Sequence, residues 1–193
     1  MLAEWHFLAL NAALLDVAKI EISREDHMSM YNGLPTKRKL QILSDKGLVN
    51  SKDFSKIFDL KQKFTIDFIE KLAFVDEVKI SMLERLRQDG FLLSCVTNSI
   101  KYTAELMLSK TGQIKYFHTI ITNEDVVFSK PHPQGYLKAI DLLGTSPLCT
   151  LIVEDSEKGC ESAINSKSNL WKVSGIADVF YGNICKILEK YND

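Results

Sequence analysis

Apolar residues recur at helical spacing from Leu2 to Val17, with Trp5, Leu8, Ala9, Ala12 and Leu15 as the expected buried face. A second helix is predicted from Ser23, because Asp26 three positions on completes a capping-box-like start. Asn32-Gly33 turns the chain, Pro35 or Thr36 opens a third helix, and Gly47 closes it. From Ser51 to Phe74 the helical pattern returns through Phe54, Ile57, Phe58, Leu60, Phe64, Phe68, Ile69 and Leu72. Near Asp76 the character changes. A helix ending at Gly90 leads into the apolar run Phe91 to Val96, short enough for a buried strand. Further strands are predicted at Thr119–Thr122, Thr150–Val153 and Leu170–Val173, with a short one at Asp178–Phe180. Helices over Ile100–Lys110, Gln134–Leu143, Lys158–Asn165 and Ile184–Tyr191 separate or follow them. The pattern divides the chain into an all-helical unit over residues 1–75 and an α/β unit over 76–193 with a Rossmann-like parallel sheet.

A chain of 193 residues with 46% hydrophobic content can bury a substantial core. The formal net charge of −1 gives no reason to expect nucleic acid or an anionic membrane as partner. Cys95, Cys149, Cys160 and Cys185 form no C-x-x-C pair and read as idle thiols of a reducing cytoplasm. The apolar N-terminal stretch lacks a basic region and is interrupted by Glu4, His6, Asn11 and Asp16. It reads as an amphipathic helix and not as a signal peptide.

Polar residues gather where predicted strands end, the place where open α/β sheets bind ligands. Thr97-Asn98-Ser99 follows the first strand and offers a hydroxyl with backbone N–H groups at a helix start, either an oxyanion cradle or an ordinary N-cap. Lys130, between Ser129 and Pro131, supplies a positive charge from a proline-stiffened loop in which His132 reads as structural. Glu154 and Asp155 directly follow the apolar Leu151-Ile152-Val153. Adjacent acids at that place suit magnesium, or equally the dipole of the next helix.

In this order the segments LLSCVTNS, SKPHP and LIVEDSEKG resemble motifs II, III and IV of the haloacid dehalogenase-like superfamily. The likeness is to the subgroup of phosphoglycolate phosphatase-like and β-phosphoglucomutase-like proteins. The helical unit resembles that subgroup's cap, AEWH the stretch following its first motif, and NGLPT its substrate-facing loop. The resemblance implies hydrolysis of a small phosphorylated metabolite through an aspartyl-phosphate, with Mg²⁺ as cofactor. By position it implies that Thr97, Asn98 and Ser99 bind phosphate, that Lys130 stabilises charge on the nucleophile and phosphoryl group, and that Glu154 and Asp155 hold magnesium. His6, Thr36 and Lys37 would face the substrate from the cap, and Thr36 and Lys37 stand where β-phosphoglucomutases have an arginine.

The superfamily's first motif, Asp-x-Asp on a central strand, has no counterpart in these residues, and Asp16, Asp45, Asp76 and Asp125 are poorly placed to replace it. The resemblance therefore implies a chain truncated before that motif, with the central first strand missing between the strands ending at Thr97 and Val153. Little or no turnover is expected of it, together with association through the unpaired strands. The alternative expectation is a non-catalytic phosphate-binding or interaction module whose missing strand a partner supplies.

Overall fold

The computed structural model describes residues 2–191. Its backbone falls into two compact units, 1–73 and 74–193. Among the described residues no helix is long and apolar enough to cross a membrane.

The first unit is helical: α1 (Leu2–Ala18), α2 (Arg24–Asp26) running into the turn His27–Tyr31, α3 (Thr36–Asp45) and α4 (Phe54–Leu72). Ser23 caps α2 by accepting from the Asp26 N–H. The chain turns at Gly33, whose φ of 77° suits glycine. Leu10, Ala13, Leu14, Ile22, Tyr31, Leu40, Leu43, Val49 and Ile57 form one core. The buried face of α1 differs from the expected stripe. Trp5, Ala9, Leu10, Ala13 and Leu14 are inside, whereas Leu8 and Leu15 are exposed. The helix is apolar on most sides, so spacing alone leaves its phase open. The small side chains of Ala9 and Ala13, both fully buried, let a neighbouring helix approach closely, and α1 packs along α4. Asn11 is no mere interruption: its amide donates to Ile22 O at 2.8 Å and its oxygen accepts from Ile22 N at 2.9 Å, fastening the loop after α1. In α4 the buried ridge is Ile57, Lys61, Thr65 and Ile69. The four are spaced by four residues and share a face, and two of them are polar.

The second unit alternates helix and strand: α5 (Glu77–Gln88), β1 (Ser94–Val96), α6 (Lys101–Lys110), β2 (Thr119–Ile121), α7 (Gln134–Leu142), β3 (Leu151–Glu154), α8 (Glu157–Asn165), β4 (Asn169–Lys172) and α9 (Tyr181–Glu189). All strand pairs are parallel, as the α/β reading requires: β1 with β2, and β3 with β4. β1 is shorter than the expected Phe91–Val96. Gly90, at φ 87°, ends α5, and the Phe91 N–H returns to Leu86 O at 3.0 Å, so Phe91 belongs to the helix terminus. The strand expected at Asp178–Phe180 is absent. Ile176–Asp178 is a 3-10 turn in which the Asp178 carboxylate accepts from Ser174 N at 2.7 Å, and this local bond competes with a strand ladder.

The strands form two separate two-stranded sheets. Thr97 N donates to Ile121 O and His118 N to Leu93 O, so alternate residues of β1 face β2. Ser94 and Val96 therefore direct their backbone groups to the other edge. On β3, Thr150 and Glu154 carbonyls accept from Asn169 and Val173, which turns the backbone groups of Leu151 and Val153 away from β4. Among the described residues no strand pairs with either of these outer edges. A small core of Tyr136, Ile152 and Ala163, with Val96 and Leu170 against it, draws on both sheets.

Candidate phosphate-handling site

The three polar segments meet at the carboxyl ends of the strands. Thr97 follows β1 directly, and its hydroxyl accepts from the Ser99 N–H at 3.1 Å. Asn98 clamps the next segment from both sides. Its oxygen accepts from Lys130 N at 3.1 Å, and its amide donates to Lys130 O at 3.3 Å. The clamp fixes the backbone from which the Lys130 side chain reaches inward. Lys130 Nζ donates to Val96 O at 2.9 Å and to the Tyr136 hydroxyl at 2.8 Å, and it pairs with Glu154 Oε1. The Tyr136 hydroxyl donates to the same oxygen at 2.6 Å. Ser156, the N-cap of α8, donates its hydroxyl to Glu154 Oε2 at 3.1 Å and accepts from Gly159 N at 3.0 Å.

This network is nearly dry, the Lys130 and Glu154 side chains being 10% and 11% exposed. Burial by itself pushes the Glu154 carboxyl up. The charge of Lys130 and the hydrogen bonds from Lys130, Tyr136 and Ser156 outweigh it and hold the group below its ordinary value. Burial and the adjacent Glu154 charge push the Tyr136 phenol far up, so it stays a donor at neutral pH. Burial likewise raises the Cys95 thiol, in keeping with an idle cysteine. His132 is structural as expected: its ring accepts from Gln134 N at 3.1 Å and packs on Phe128 at 4.9 Å between centroids.

Gly159 is where α8 passes the Glu154 carboxyl group, and a Cβ there would overlap that group. Gly159→Ala is expected to displace Glu154 from Lys130 and Tyr136 and to destabilise the unit by about 1–3 kcal/mol. Urea unfolding checks this. In a Glu154→Ala background the same substitution should cost close to nothing, and an equal cost in both backgrounds would refute the contact.

The magnesium set Glu154 and Asp155 is not brought together. Asp155 is exposed, whereas both Glu154 oxygens already accept hydrogen bonds. Among the described residues no group of three His, Cys, Asp or Glu side chains is placed to hold a metal ion. As arranged, the Glu154 carboxylate is engaged by Lys130, Tyr136 and Ser156, and the Asp155 side chain stands exposed beside it. Of the residues expected on the helical unit, Lys37 is exposed and Thr36 half-buried, and the buried lysine of that turn is Lys39. His6 is half-buried, with Nδ1 3.2 Å from Lys61 Nζ. Tyr136 was not foreseen. Its sequence signal is its place one turn into α7, five residues beyond Pro131, where a tyrosine on a buried face needs a polar partner.

The chain is similar to several known proteins. Over 74 residues the chain is 39% identical to a pyrophosphatase PpaX of Oceanobacillus iheyensis, which covers 38% of this chain and 35% of that protein. A Bacillus cereus PpaX is 28% identical over 129 residues, 63% of this chain and 60% of its own length. The chain thus spans less than two thirds of these curated relatives. A β-phosphoglucomutase structure from Clostridium difficile superposes with a TM-score of 0.82 at 18% identity, covering 99% of this chain and 91% of that one. The structure of CbbY from Rhodobacter sphaeroides in complex with phosphate gives 0.75 at 17% identity, covering 86% and 77%. At such identities the superpositions show a common fold. Residues 4–173 match the model of the haloacid dehalogenase-like hydrolases, and the chain belongs to that family.

Proposed function

We propose that the α/β unit binds the phosphoryl group of a small phosphorylated metabolite, the substrate class of a phosphatase of this family, and that these residues by themselves do not turn it over. The observation that carries the reading is Lys130. Its ammonium sits where the ends of β1, the β2–α7 loop and β3 converge, held by Val96, Tyr136 and Glu154. A phosphoryl group there would find the Lys130 charge, with the Thr97 hydroxyl and Ser99 at the rim. Among the described residues the carboxylate paired with Lys130 is Glu154. Two hydrogen-bonded neighbours and a buried ion pair restrain it, which is a poor state for a nucleophile. The expected result is phosphate binding, read by ³¹P line broadening and reduced in Thr97→Val. No turnover of p-nitrophenyl phosphate is expected with or without Mg²⁺. Mg²⁺-dependent turnover abolished by Lys130→Ala would overturn the second half of the proposal, and absence of binding would overturn the first.

A second reading is favoured by the two open sheet edges. Ser94 and Val96 on β1, with Leu151 and Val153 on β3, offer backbone groups suited to an added strand. In this reading the chain associates, with itself or with a partner, through that edge. A monodisperse monomer by light scattering, with the Val96 and Val153 amides protected from exchange, would count against it.

A further inference from the structure

We propose that Gln134 is a positioning residue for Lys130. Its side-chain oxygen ties the β2–α7 loop into one fixed course, and that course sets where the Lys130 ammonium meets a phosphoryl group. The last step rests on the phosphate-binding reading of the α/β unit, whereas the placing of Lys130 by Gln134 does not.

Gln134 opens α7, and its Oε1 accepts from Val127 N at 3.0 Å and from Phe128 N at 2.7 Å. Burial does not hold that stretch, because Val127 and Phe128 are 80% and 57% exposed. Surface loops with so little buried are ordinarily mobile. Here the two backbone donors converge on one amide oxygen. The far side of the loop is tied as well. His132 N donates to Ser129 O at 3.1 Å, and Ser162 of α8, fully buried, donates its hydroxyl to His132 O at 2.9 Å. Lys130 lies between these two ties, with the Asn98 clamp on its own backbone.

A lysine side chain carries much rotamer freedom, so its head is placed only as well as its backbone is. Lys130 Nζ has to reach Val96 O, the Tyr136 hydroxyl and Glu154 at once. Among the described residues no hydrogen bond joins Gln134 to Lys130, so Gln134 acts through the loop. Removing its oxygen frees the arm that leads into Lys130 from β2. Water can take over the exposed Val127 and Phe128 N–H groups. The loss therefore falls on the placing of Lys130 and little on the fold as a whole.

Two measurements on the full chain test this. The first is a double-mutant cycle by urea unfolding over Gln134→Met and Lys130→Ala, in the absence of phosphate. The effect of Lys130→Ala on the folding constant should be smaller by about threefold or more in the Gln134→Met background, where the lysine is already loosened. Additivity of the two changes overturns the proposal. The second uses inorganic phosphate, with ³¹P line broadening and amide hydrogen exchange. In Gln134→Met the dissociation constant should rise about tenfold, and the Val127 and Phe128 amides should exchange faster. Gln134→Glu keeps an oxygen acceptor for both amides. It should restore their protection and bring the constant within about threefold of wild type. Weakened binding in Gln134→Met with both amides still protected also overturns the proposal, as does a failure of Gln134→Glu to restore protection. A wild type that binds no phosphate while the cycle shows coupling refutes the phosphate reading and supports the placing of Lys130 by Gln134.

Discussion

Lys130→Ala is expected to lower the stability of the α/β unit by about 3–5 kcal/mol, the usual consequence of removing one partner from a buried ion pair. Most of this arises on Glu154. Its side chain is 11% exposed, and without Lys130 it keeps only the Tyr136 and Ser156 hydrogen bonds. Val96 O also loses its donor. Urea unfolding would show the lower midpoint. Lys130→Met combined with Glu154→Gln should recover much of the loss, because no buried charge is then stranded. The pH dependence has a definite sign. Glu154 is held below its ordinary value in the folded state, so its contribution is present above the unfolded carboxylate range and is lost as pH falls through the folded value. Wild type should therefore lose stability on acidification more steeply than the double variant. A cost below about 1 kcal/mol for Lys130→Ala, the level of an exposed pair, would mean that water shares the pair in solution.

Lys61→Met is expected to stabilise the protein at neutral pH. The wild-type curve should rise with pH where the variant's is flatter. An unfolded lysine titrates near 10.4, whereas burial in the fold, then the charge of Lys39, lowers Lys61 to about 7, and burial lowers Lys39 to about 8. Between those values the unfolded chain holds more protons than the native one, so unfolding becomes less favourable as pH rises. Each unit of difference corresponds to about 1.4 kcal/mol, and two such lysines would make the slope one of the largest in the protein. Thermal or urea unfolding at several pH values between about 6 and about 10 would measure it. If Lys61→Met lowers the midpoint at pH 7, the ammonium is paired or hydrated and the buried-charge account fails.

Sequence legibility followed the physics of each signal. The caps and turns were readable because Ser23, Gly33 and Gly90 act within a few residues of themselves. The parallel α/β character was readable from short apolar runs between helices, and the pairings of β1 with β2 and β3 with β4 agree with it. The α4 ridge was not, because Lys61 and Thr65 break an apolar stripe that Ile57 and Ile69 only bracket. The i, i+4 continuity between those isoleucines was the available clue. Tyr136 was missed for a related reason: the use of a buried hydroxyl depends on partners 6 and 18 residues away. Lys130 and Glu154 were legible as candidates at the ends of strands, but their mutual pairing was not. Periodicity places a side chain on an element and does not say which of two opposite charges it will meet.

The division of the sheet also bears on how this chain assembles during synthesis. Ser94 meets Thr119 across 25 residues, and Leu151 meets Asn169 within a similarly short stretch. Each ribbon closes through one crossover helix, and neither needs the other to form its ladder. The loop that each crossover closes is short, so its entropic cost is smaller than that of a pairing between the two ribbons. Because β3 is translated after β1 and β2, the meeting of Lys130 with Glu154, which links the two ribbons, can only follow the synthesis of both.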